Sequence, residues 1–313
     1  MEVLHILDWR ALRTEPWHGV RRVRFREVFA RNRCARWAHH VTALLVVIVI
    51  AGLASAFDLI ASLVTNDHSW VDRSWSILPV IYVAVFAGWA HLRDPRLDAM
   101  GIVVLIWGAR LTFNFARKGG YAGVEDYRWA VLRSRMPRWQ FQLFNLGFIV
   151  IYQNALLVAI ALPAWTALQH RSGSYGAADV VLALMFLACT AGETVADQQQ
   201  WRFQTWKAGE QAAGRMPDPR FLQQGLFRFS RHPAYFFEVA QWWIVFLMGV
   251  MAAGSLRQWT VVGAVFLTLL FVGSTRFTES ITLSKYPEYS LYQRRTSAIV
   301  PWRPLDVVPL TLD

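Results

Sequence analysis

Residues 231–254 read RHPAYFFEVAQWWIVFLMGVMAAG, a short polar motif that runs directly into a long apolar segment. An apolar run of this length can cross a bilayer as a helix. Pro233 suits the first turn of that helix, because its missing N–H costs nothing there. Arg231, Tyr235 and Glu238 follow the spacing i, i+4 and i+7, which places them on one helical face. The motif therefore predicts a membrane helix with a polar face at its entrance.

The first turn of this helix also has the chemistry of an anion site. Free backbone N–H groups at a helix N-terminus attract phosphate, and the cations Arg231 and His232 stand beside them. Charged groups inside membrane segments are costly and usually functional. The alternative is a basic interface anchor in which Glu238 simply pairs with Arg231.

Composition places the whole chain in the class of membrane proteins. Of its 313 residues 55% are hydrophobic and 17% are charged, which excludes an ordinary soluble domain. Cys34 and Cys189 suggest neither a disulfide framework nor a metal site, so no metal is expected. The fold class predicted is all-α and polytopic, with about seven transmembrane helices. The apolar runs are 41–64, 77–92, 99–115, 141–163, 178–200, 234–254 and 258–280.

The sequence predicts three parts, which are a basic interfacial arm at 1–38, a seven-helix domain at 39–302 and a tail at 303–313. The arm contains nine Arg and no apolar core, so it does not resemble a signal peptide. It suits an anionic membrane surface. Nucleic-acid binding is a weak alternative, because no fold pattern of that class accompanies it.

Charge bias predicts the orientation in the membrane. The loops after the third and fifth spans and the tail are rich in Lys and Arg, so we expect them and a cofactor cavity beside them to face the cytoplasm. The arm at 1–38 conflicts with this, because seven spans put it on the opposite side. Either the arm is translocated, or it stays cytoplasmic and one early span is re-entrant.

Four membrane segments carry polar stripes that end at the same predicted face. Polar side chains converging from several helices are typical of a pocket, although each alone could tie two helices together. The stripes are Arg110, Asn114 and Arg117; Glu193, Asp197, Gln200 and Gln204; Arg231, Tyr235 and Glu238; and Arg276, Glu279 and Ser280.

The loops beside these stripes add cations, acids and aromatic rings. Gly119-Gly120 follows Arg117 and Lys118, and a glycine pair lets backbone N–H groups approach a phosphate, although it also simply ends helices. Cations suit phosphates and acids suit ribose hydroxyls, so the pocket fits an anionic nucleotide. No GxGxxG follows a strand, which excludes a Rossmann domain. Further candidates in the loops are Asp126, Tyr127, Arg128, Arg202, Lys207, Tyr286, Tyr289, Tyr292, Arg294 and Arg295.

These motifs resemble the steroid 5α-reductase-like membrane reductases, in particular a bacterial branch defined only as a domain of unknown function. The resemblance extends from about Asp72 to Trp302. The octet 231–238 alone is less specific, because it also resembles the cofactor motif of isoprenylcysteine and phospholipid methyltransferases. The other segments that carry the resemblance are DRSWSILP (72–79), WGARLTFNFAR (107–117), EDYRW (125–129), ADQQQ (196–200) and YSLYQRRT (289–296).

The resemblance implies a seven-helix fold that holds NADPH on the cytoplasmic side of a bacterial inner membrane. It implies reduction of an activated C=C bond in a lipid that enters from the bilayer. The basic loop residues would then bind the phosphates of the nucleotide. The residues that the resemblance places around the nucleotide are Asp197, Arg202, Tyr235, Glu238 and Glu279.

The chain departs from the pattern of this family at three places. Ala234 replaces a frequent Asn and removes an amide contact to the cofactor, and Phe237 replaces a small residue, which we expect to narrow the site. The Gln-Glu pair that steroid-reducing members use near the substrate carbonyl is not evident around Pro79. A sterol, another polycyclic enone, an enoyl lipid and a polyprenyl compound therefore stay open as substrates.

Reduction of a conjugated enone needs a hydrogen-bond donor at the carbonyl oxygen and a proton for the α-carbon. Candidate donors are Asp72, Tyr152 and Tyr82. Asp72 is preferred, because it lies in a segment that carries the resemblance. Its structural alternative is a helix cap or an ion pair with Arg73.

Two other functions compete with the reductase. A membrane methyltransferase using S-adenosylmethionine shares the Arg-His-Pro-x-Tyr start, but it typically has paired glutamates where this chain reads Glu279-Ser280. A non-enzymatic lipid-binding or scaffold protein would explain Ala234 and Phe237. A transporter is disfavoured, because no inverted repeat is evident. The partners expected are a lipid-like substrate and membrane lipids, without nucleic acid.

Overall fold

The structure is a computed structural model that describes residues 20–170 and 175–305, with side chains from residue 39 onward. The described residues form helices and no β-strand, so the predicted all-α class is confirmed. A π-helix at Asn145–Tyr152 and a 3-10 turn at Gly225–Arg228 complete the helical elements. The α-helices are α1 (Val20–Thr65), α2 (Trp70–Trp75), α3 (Leu78–Trp89), α4 (Pro95–Arg117), α5 (Tyr127–Arg135), α6 (Arg138–Phe144), α7 (Gln153–Gln169), α8 (Ala177–Ala212), α9 (Pro233–Ala253), α10 (Val261–Lys285) and α11 (Tyr289–Arg295).

Seven helical segments of the described chain are long and apolar enough to cross a membrane, as predicted, so the chain is an integral membrane protein. The second span joins α2 to α3, and the fourth joins α6, the π-helix and α7. Helices α8 and α10 extend past the predicted limits 200 and 280, because hydropathy detects only their apolar part. The spans are His39–Thr65, Trp70–Trp89, Pro95–Arg117, Arg138–Gln169, Ala177–Ala212, Pro233–Ala253 and Val261–Lys285.

Local sequence signals set where α4 begins and where α9 begins and ends. Asp94 caps α4, because its carboxylate accepts from the backbone N–H groups of Arg96 and Leu97, each at 3.1 Å. Pro233 opens α9, as its missing N–H predicts. Gly254 closes α9 with φ of 64°, a conformation that glycine adopts without strain.

The core lies between α3, α4, α7 and α9. The side chains of Tyr82, Phe86, Trp107 and Trp242 are buried there, and the two indoles meet edge to face at 4.9 Å. On the next helix, a Cβ at Gly263 would lie 2.3 Å from the carbonyl oxygen of Ala159. Glycine therefore lets α10 pack directly on the backbone of α7.

The chain divides into two compact units, Met1–Thr42 and Ala43–Asp313. All the site residues discussed below belong to the second unit. The predicted domain boundaries after 38 and 302 stay predictions. Residues 1–19 of the basic arm and 306–313 of the tail lie outside the described residues, as do the side chains of residues 20–38, including Cys34.

Candidate functional site

A polar cavity lies among the spans and consists of two adjoining compartments. The inner compartment has a volume of about 320 Å³ and the outer compartment about 630 Å³. Lys118, Asp197, Ala234 and Tyr235 line both, so the two compartments are continuous. The inner compartment is defined by the polar residues Asp72, Asn114, Asp126, Arg128, Glu193 and Glu238, and the outer one by Lys207, Arg220, Arg231, His232, Lys285, Tyr286 and Tyr289.

Arg110 ties α4 to α8 behind the inner compartment. Its guanidinium lies 2.7 Å from Glu193 and 2.6 Å from Asp197. The amide of Gln241 donates to the other oxygen of Glu193 at 3.1 Å. Arg110 therefore balances one buried and one half-buried carboxylate and lines neither compartment itself. It acts as a clamp between helices rather than as a free cation.

Glu238 is buried on α9 and faces the inner compartment. The indole N–H groups of Trp107 and Trp242 donate to its two oxygens at 2.8 Å and 3.0 Å. Its carboxylate forms no salt bridge with Arg231, so the interpretation of the motif as a simple Glu238–Arg231 anchor is wrong. Neutral donors therefore hold this carboxylate in place: Trp107 reaches it from α4, and Trp242 lies one turn further along α9.

Arg231 instead pairs with Glu279 of α10. The guanidinium donates to both carboxylate oxygens, at 2.6 Å and 3.0 Å, and His232 Nε2 lies 3.1 Å from one of them. Gln293 donates to the same carboxylate at 2.7 Å, and the hydroxyl of Tyr289 lies 3.3 Å away. Glu279 thus occupies the anion position beside Arg231 and His232 that the sequence assigned to a phosphate. The side chains of Arg231 and His232 still line the outer compartment.

Buried phenols add donors to this wall. Burial raises the pKa of Tyr289 and of Tyr292, so both hydroxyls stay protonated near neutral pH. The hydroxyl of Tyr292 donates to the carbonyl oxygen of Phe227. His232 stacks on Tyr235 with ring centroids 5.1 Å apart, which places the Tyr235 ring where the two compartments meet.

The Gly119-Gly120 pair ends α4 and does not cradle a phosphate. Gly119 has φ of 83°, and its N–H donates to Ala116 O at 2.9 Å. The N–H of Gly120 donates to Phe115 O at 3.1 Å, and its carbonyl accepts from Arg73 Nε at 2.8 Å. Both N–H groups are used within the protein, which supports the structural alternative.

Asp72 lines the inner compartment, as expected of a candidate proton donor. The indole N–H of Trp129 donates to its Oδ2 at 2.9 Å and orients the carboxyl group. Arg73 pairs with Asp67 instead, so the proposed ion pair with Asp72 does not form. The other two candidates lie elsewhere: Tyr82 is enclosed in the core, and the Tyr152 hydroxyl donates to Phe266 O at 3.2 Å.

Arg128 joins the inner compartment to α10. Asp126 caps α5 and pairs with Arg128 at 2.8 Å, and Arg128 Nη1 donates to Ser274 Oγ at 3.1 Å. The loop before α5 is anchored by the N–H of Asp126, which donates to Ser69 Oγ at 2.8 Å. These contacts hold a carboxylate and a guanidinium at the entrance to a third space.

This third space, the apolar compartment, has a volume of about 510 Å³. One of its walls is a ladder of stacked rings, with Phe144 and Phe148 at 4.9 Å and Phe148 and Tyr152 at 5.2 Å. Phe148, Leu270 and the Arg128–Ser274 contact also line the inner compartment, so the two spaces adjoin. Its remaining walls are Trp129, Leu132, Phe266, Leu269, Gly273 and Phe277.

The structure brings most of the predicted cofactor residues to the two polar compartments. They line a common surface although they come from five separate segments of the chain. These residues are Asn114, Lys118, Asp126, Tyr127, Arg128, Asp197, Gln200, Lys207, Arg231, His232, Tyr235, Glu238 and Tyr289.

Seven other predicted residues do not line either compartment. Arg202 lies five residues after Asp197, on another face of α8, and lines a separate groove. Arg117 donates to Asn114 at 2.9 Å and Gln198 at 2.8 Å, and Arg276 is exposed. The full set outside is Arg110, Arg117, Arg202, Arg276, Glu279, Arg294 and Arg295.

Phe237 does not narrow the site, contrary to expectation. Its ring packs against α8 at Gly192, where an added Cβ would lie 2.4 Å from the ring. Phe237 lines neither compartment, whereas Ala234 lines both. Gly192 therefore makes room for the larger side chain at position 237. Of the two residues that differ from the family pattern, only Ala234 shapes the cavity.

Several lining residues were not predicted from the sequence. Arg220 and Lys285 line the outer compartment, and Phe148 and Ser274 line the inner one. The spacing i, i+4, i+8 of the ring ladder was a usable signal for Phe148. Among the described residues, no group of three or more His, Cys, Asp or Glu could hold a metal ion.

Comparisons with known proteins agree with this architecture only at the level of a family. A family described as a protein of unknown function, DUF1295, matches residues 59–296, which include every residue lining the two polar compartments. The chain is 36% identical over 253 residues to an uncharacterized protein of Schizosaccharomyces pombe, covering 76% of this chain and 73% of that protein. No solved structure matches the chain.

Proposed function

The chain belongs to the DUF1295 family, and we propose that it is an integral-membrane reductase that uses NADPH to reduce an activated C=C bond of a lipid-like substrate. The observation that carries the proposal is the series of three adjoining compartments: the outer one is cationic, the inner one is acidic and the last one is apolar. A nucleotide in the outer compartment and a lipid in the apolar compartment would meet in the inner compartment. The bias of Lys and Arg toward these loops supports a nucleotide side that faces the cytoplasm.

The outer compartment fits the phosphates and rings of a dinucleotide. Its lining contains five Lys or Arg side chains and one carboxylate, together with five tyrosines and two phenylalanines. Cations bind phosphates by charge-assisted hydrogen bonds, and flat rings suit a base. Its volume of about 630 Å³ lies in the range of small-molecule sites, about 300–1,000 Å³.

The inner compartment fits the reacting end of both partners. NADPH supplies a hydride, which would reach the β-carbon of the substrate here. Asp72, oriented by Trp129, would hydrogen-bond the carbonyl oxygen of the substrate or deliver the proton to its α-carbon. Arg128, on the wall shared with the apolar compartment, would stabilise developing negative charge on that oxygen.

The apolar compartment would receive the body of the lipid. Its wall of stacked rings and leucines faces no carboxylate, and its one cation, Arg128, lies at the boundary with the inner compartment. A lipid could therefore bury its apolar part there and present its polar end to Asp72 and Arg128. Burial of apolar surface would favour this placement by about 25 cal/mol per Å².

A methyltransferase explains the site less well. S-adenosylmethionine carries a sulfonium cation, a single carboxylate and no phosphate, so it would offer the five cationic side chains of the outer compartment far less negative charge than NADPH does. The position after Glu279 holds an exposed serine, and Glu279 itself is engaged by Arg231. These contacts favour the reductase over the methyltransferase.

The test is a binding experiment on detergent-purified protein with NADPH, NADH and S-adenosylmethionine. Ala234 lines both polar compartments, so Ala234→Trp should fill their junction without changing a charge. Ala188→Trp is the matched control, because Ala188 is exposed on α8 and lines neither. We expect NADPH to bind the wild type and the control and to lose measurable binding to Ala234→Trp.

Each result discriminates between the candidate functions. Binding of S-adenosylmethionine without NADPH would favour the methyltransferase. Absence of binding for all three ligands would favour a lipid-binding protein without an enzymatic site. Equal NADPH binding to Ala234→Trp and the wild type would place the nucleotide outside this cavity.

A further inference from the structure

We infer that Lys207 and Arg220 form a specificity site for a phosphate monoester, and that the group bound there is the ribose 2′-phosphate of NADPH. The inference rests on the proposed function, because it assigns one phosphate of that nucleotide to two side chains. The inference goes beyond the proposed function because it names the residues by which the protein would discriminate NADPH from NADH.

Both cations lie against the same ring at the edge of the outer compartment. Lys207 Nζ is 3.1 Å from the hydroxyl oxygen of Tyr286 and 4.8 Å from its ring centroid. The guanidinium carbon of Arg220 lies 6.0 Å from that centroid. Lys207 Nζ also donates to the carbonyl oxygen of Arg220 at 2.6 Å, so the end of α8 and the following loop are tied together here.

The two positive charges lack a buried partner. Lys207 forms no salt bridge with a described acidic side chain, and Glu288 lies 3.3 Å from Arg220 with both side chains about two-fifths exposed, at 42% and 43%. Such exposed pairs contribute little. Arg231 differs, because the buried Glu279 binds it through two contacts. An added anion would therefore be bound more strongly by Lys207 and Arg220 than by Arg231.

A phosphate monoester suits this pair better than a phosphodiester. A monoester carries about −1.5 to −2 charges at pH 7 and three strong acceptor oxygens. The guanidinium fork can bind two of these oxygens while the ammonium group binds the third. A bridging phosphate of a pyrophosphate has fewer free oxygens and less charge.

The position of the pair identifies the 2′-phosphate. The reacting end of the nucleotide would enter the inner compartment past Ala234 and Tyr235, and the adenosine end would lie farther along the outer compartment. Lys207 is ten residues beyond the junction residue Asp197 on α8, which is about 15 Å along the helix. There Phe221, the neighbour of Arg220, packs with Tyr289 at 4.9 Å and Tyr292 at 5.7 Å and forms an aromatic wall for a base. The 2′-phosphate is on the ribose next to that base.

The experiment measures equilibrium affinities of the full-length, detergent-purified protein for NADPH and NADH. Two fragments without the nicotinamide test the same contact: adenosine 2′,5′-bisphosphate carries the 2′-phosphate, and AMP lacks it. We expect Lys207→Ala and Arg220→Ala each to weaken NADPH and the bisphosphate about 10- to 100-fold, the range for a lost charge-assisted hydrogen bond, and to leave NADH and AMP unchanged.

Two further variants separate a specific site from a general field. Lys285 lines the same compartment but lies over Tyr127, with its Nζ 5.9 Å from that ring. Lys285→Ala should change the ratio of NADPH to NADH affinity much less than Lys207→Ala does. Arg220→Lys should restore part of the preference, because it keeps the charge without the fork.

The inference fails if the wild type binds NADPH and NADH equally, or if Lys207→Ala weakens both to the same extent. It also fails if Lys285→Ala shifts the ratio as much as Lys207→Ala. All of these results leave nucleotide binding in place. Absence of binding by the wild type to any dinucleotide would remove the proposed function as well. Thermal unfolding of each unliganded variant verifies that the fold is intact.

Discussion

The inner and outer compartments adjoin, yet their linings carry opposite charge. The inner lining contains five carboxylates and two cations, and the outer lining contains five cations and one carboxylate. The sequence indicated a single, strongly cationic pocket, and the structure divides it. A ligand that occupies both must have a polyanionic end and a second end suited to acids, which is the asymmetry of a nucleotide that delivers a hydride beside a proton donor.

The two compartments also differ in how their charges are held. In the inner one, Arg110 clamps Glu193 and Asp197, and two indoles bind Glu238, so the acids are satisfied within the protein. In the outer one, Lys207 lacks such a partner among the described acids. Preorganised charges suit chemistry, whereas uncompensated charges suit ligand binding.

The largest expected effect tests the acidic side of this comparison. Asp72→Asn should lower turnover of an enone lipid reduced by the wild type about 10²- to 10⁴-fold, the range for losing an acid-base group. NADPH affinity should not change. Asp98→Asn is the control, because Asp98 is acidic, lies at the start of α4 and lines neither compartment. Equal turnover in Asp72→Asn and the wild type would remove Asp72 from the mechanism.

The next effect tests the Arg231–Glu279 contact beside the outer, cationic compartment. Glu279→Gln leaves the guanidinium of Arg231 without its carboxylate, and breaking a buried pair costs about 3–5 kcal/mol. Chemical denaturation in detergent should show a lower free energy of unfolding. Ser280→Ala changes the exposed neighbour and serves as the control. An unchanged unfolding curve for Glu279→Gln would mean that the network contributes little.

A smaller effect separates the lipid from the nucleotide. A Cβ at Gly273 meets no atom within 4 Å, so Gly273→Phe should preserve the fold while filling part of the apolar compartment. Binding of a photoreactive enone lipid should weaken roughly tenfold, since overpacking costs about 1–3 kcal/mol. NADPH affinity should stay the same. Gly101→Phe, also free of contacts, is the control; equal lipid labelling of both variants would contradict this placement.

The smallest effect concerns pH and the loop that carries Asp126. Burial lowers the pKa of His68 below its ordinary value of 6.5, so the folded protein favours the neutral ring beside Glu125 and Arg133. The unfolded chain then binds more protons in weak acid, and the free energy of unfolding should decline as pH falls below 6.5.

Unfolding measured between neutral and weakly acidic pH compares the wild type with His68→Gln. The variant should show a shallower decline, because it cannot take up this proton. Substitution of His91, which is exposed, provides the comparison with a histidine at the surface. Coincident profiles for the wild type and His68→Gln would show that this histidine does not couple folding to pH.

The sequence predicted the fold better than it predicted the site. Apolar runs located all seven spans, because the length of such a run is set by the bilayer and is independent of other segments. Helical spacing correctly placed Tyr235 and Glu238 toward one cavity. Hydropathy could not give the extension of α8 to Ala212, because polar helical turns outside the apolar part have no such signal.

Residue type and order along the chain determined where helices start, where they cross the membrane and which faces are polar. Only the tertiary structure decided the partners: Arg231 pairs with Glu279 and not with Glu238, and Tyr82 lies in the core. It also decided that Lys207 and Arg220 meet at Tyr286. The physical reason is that periodicity is a local property of each helix, whereas the rotation of each helix and the identity of its neighbours depend on how all the spans pack together.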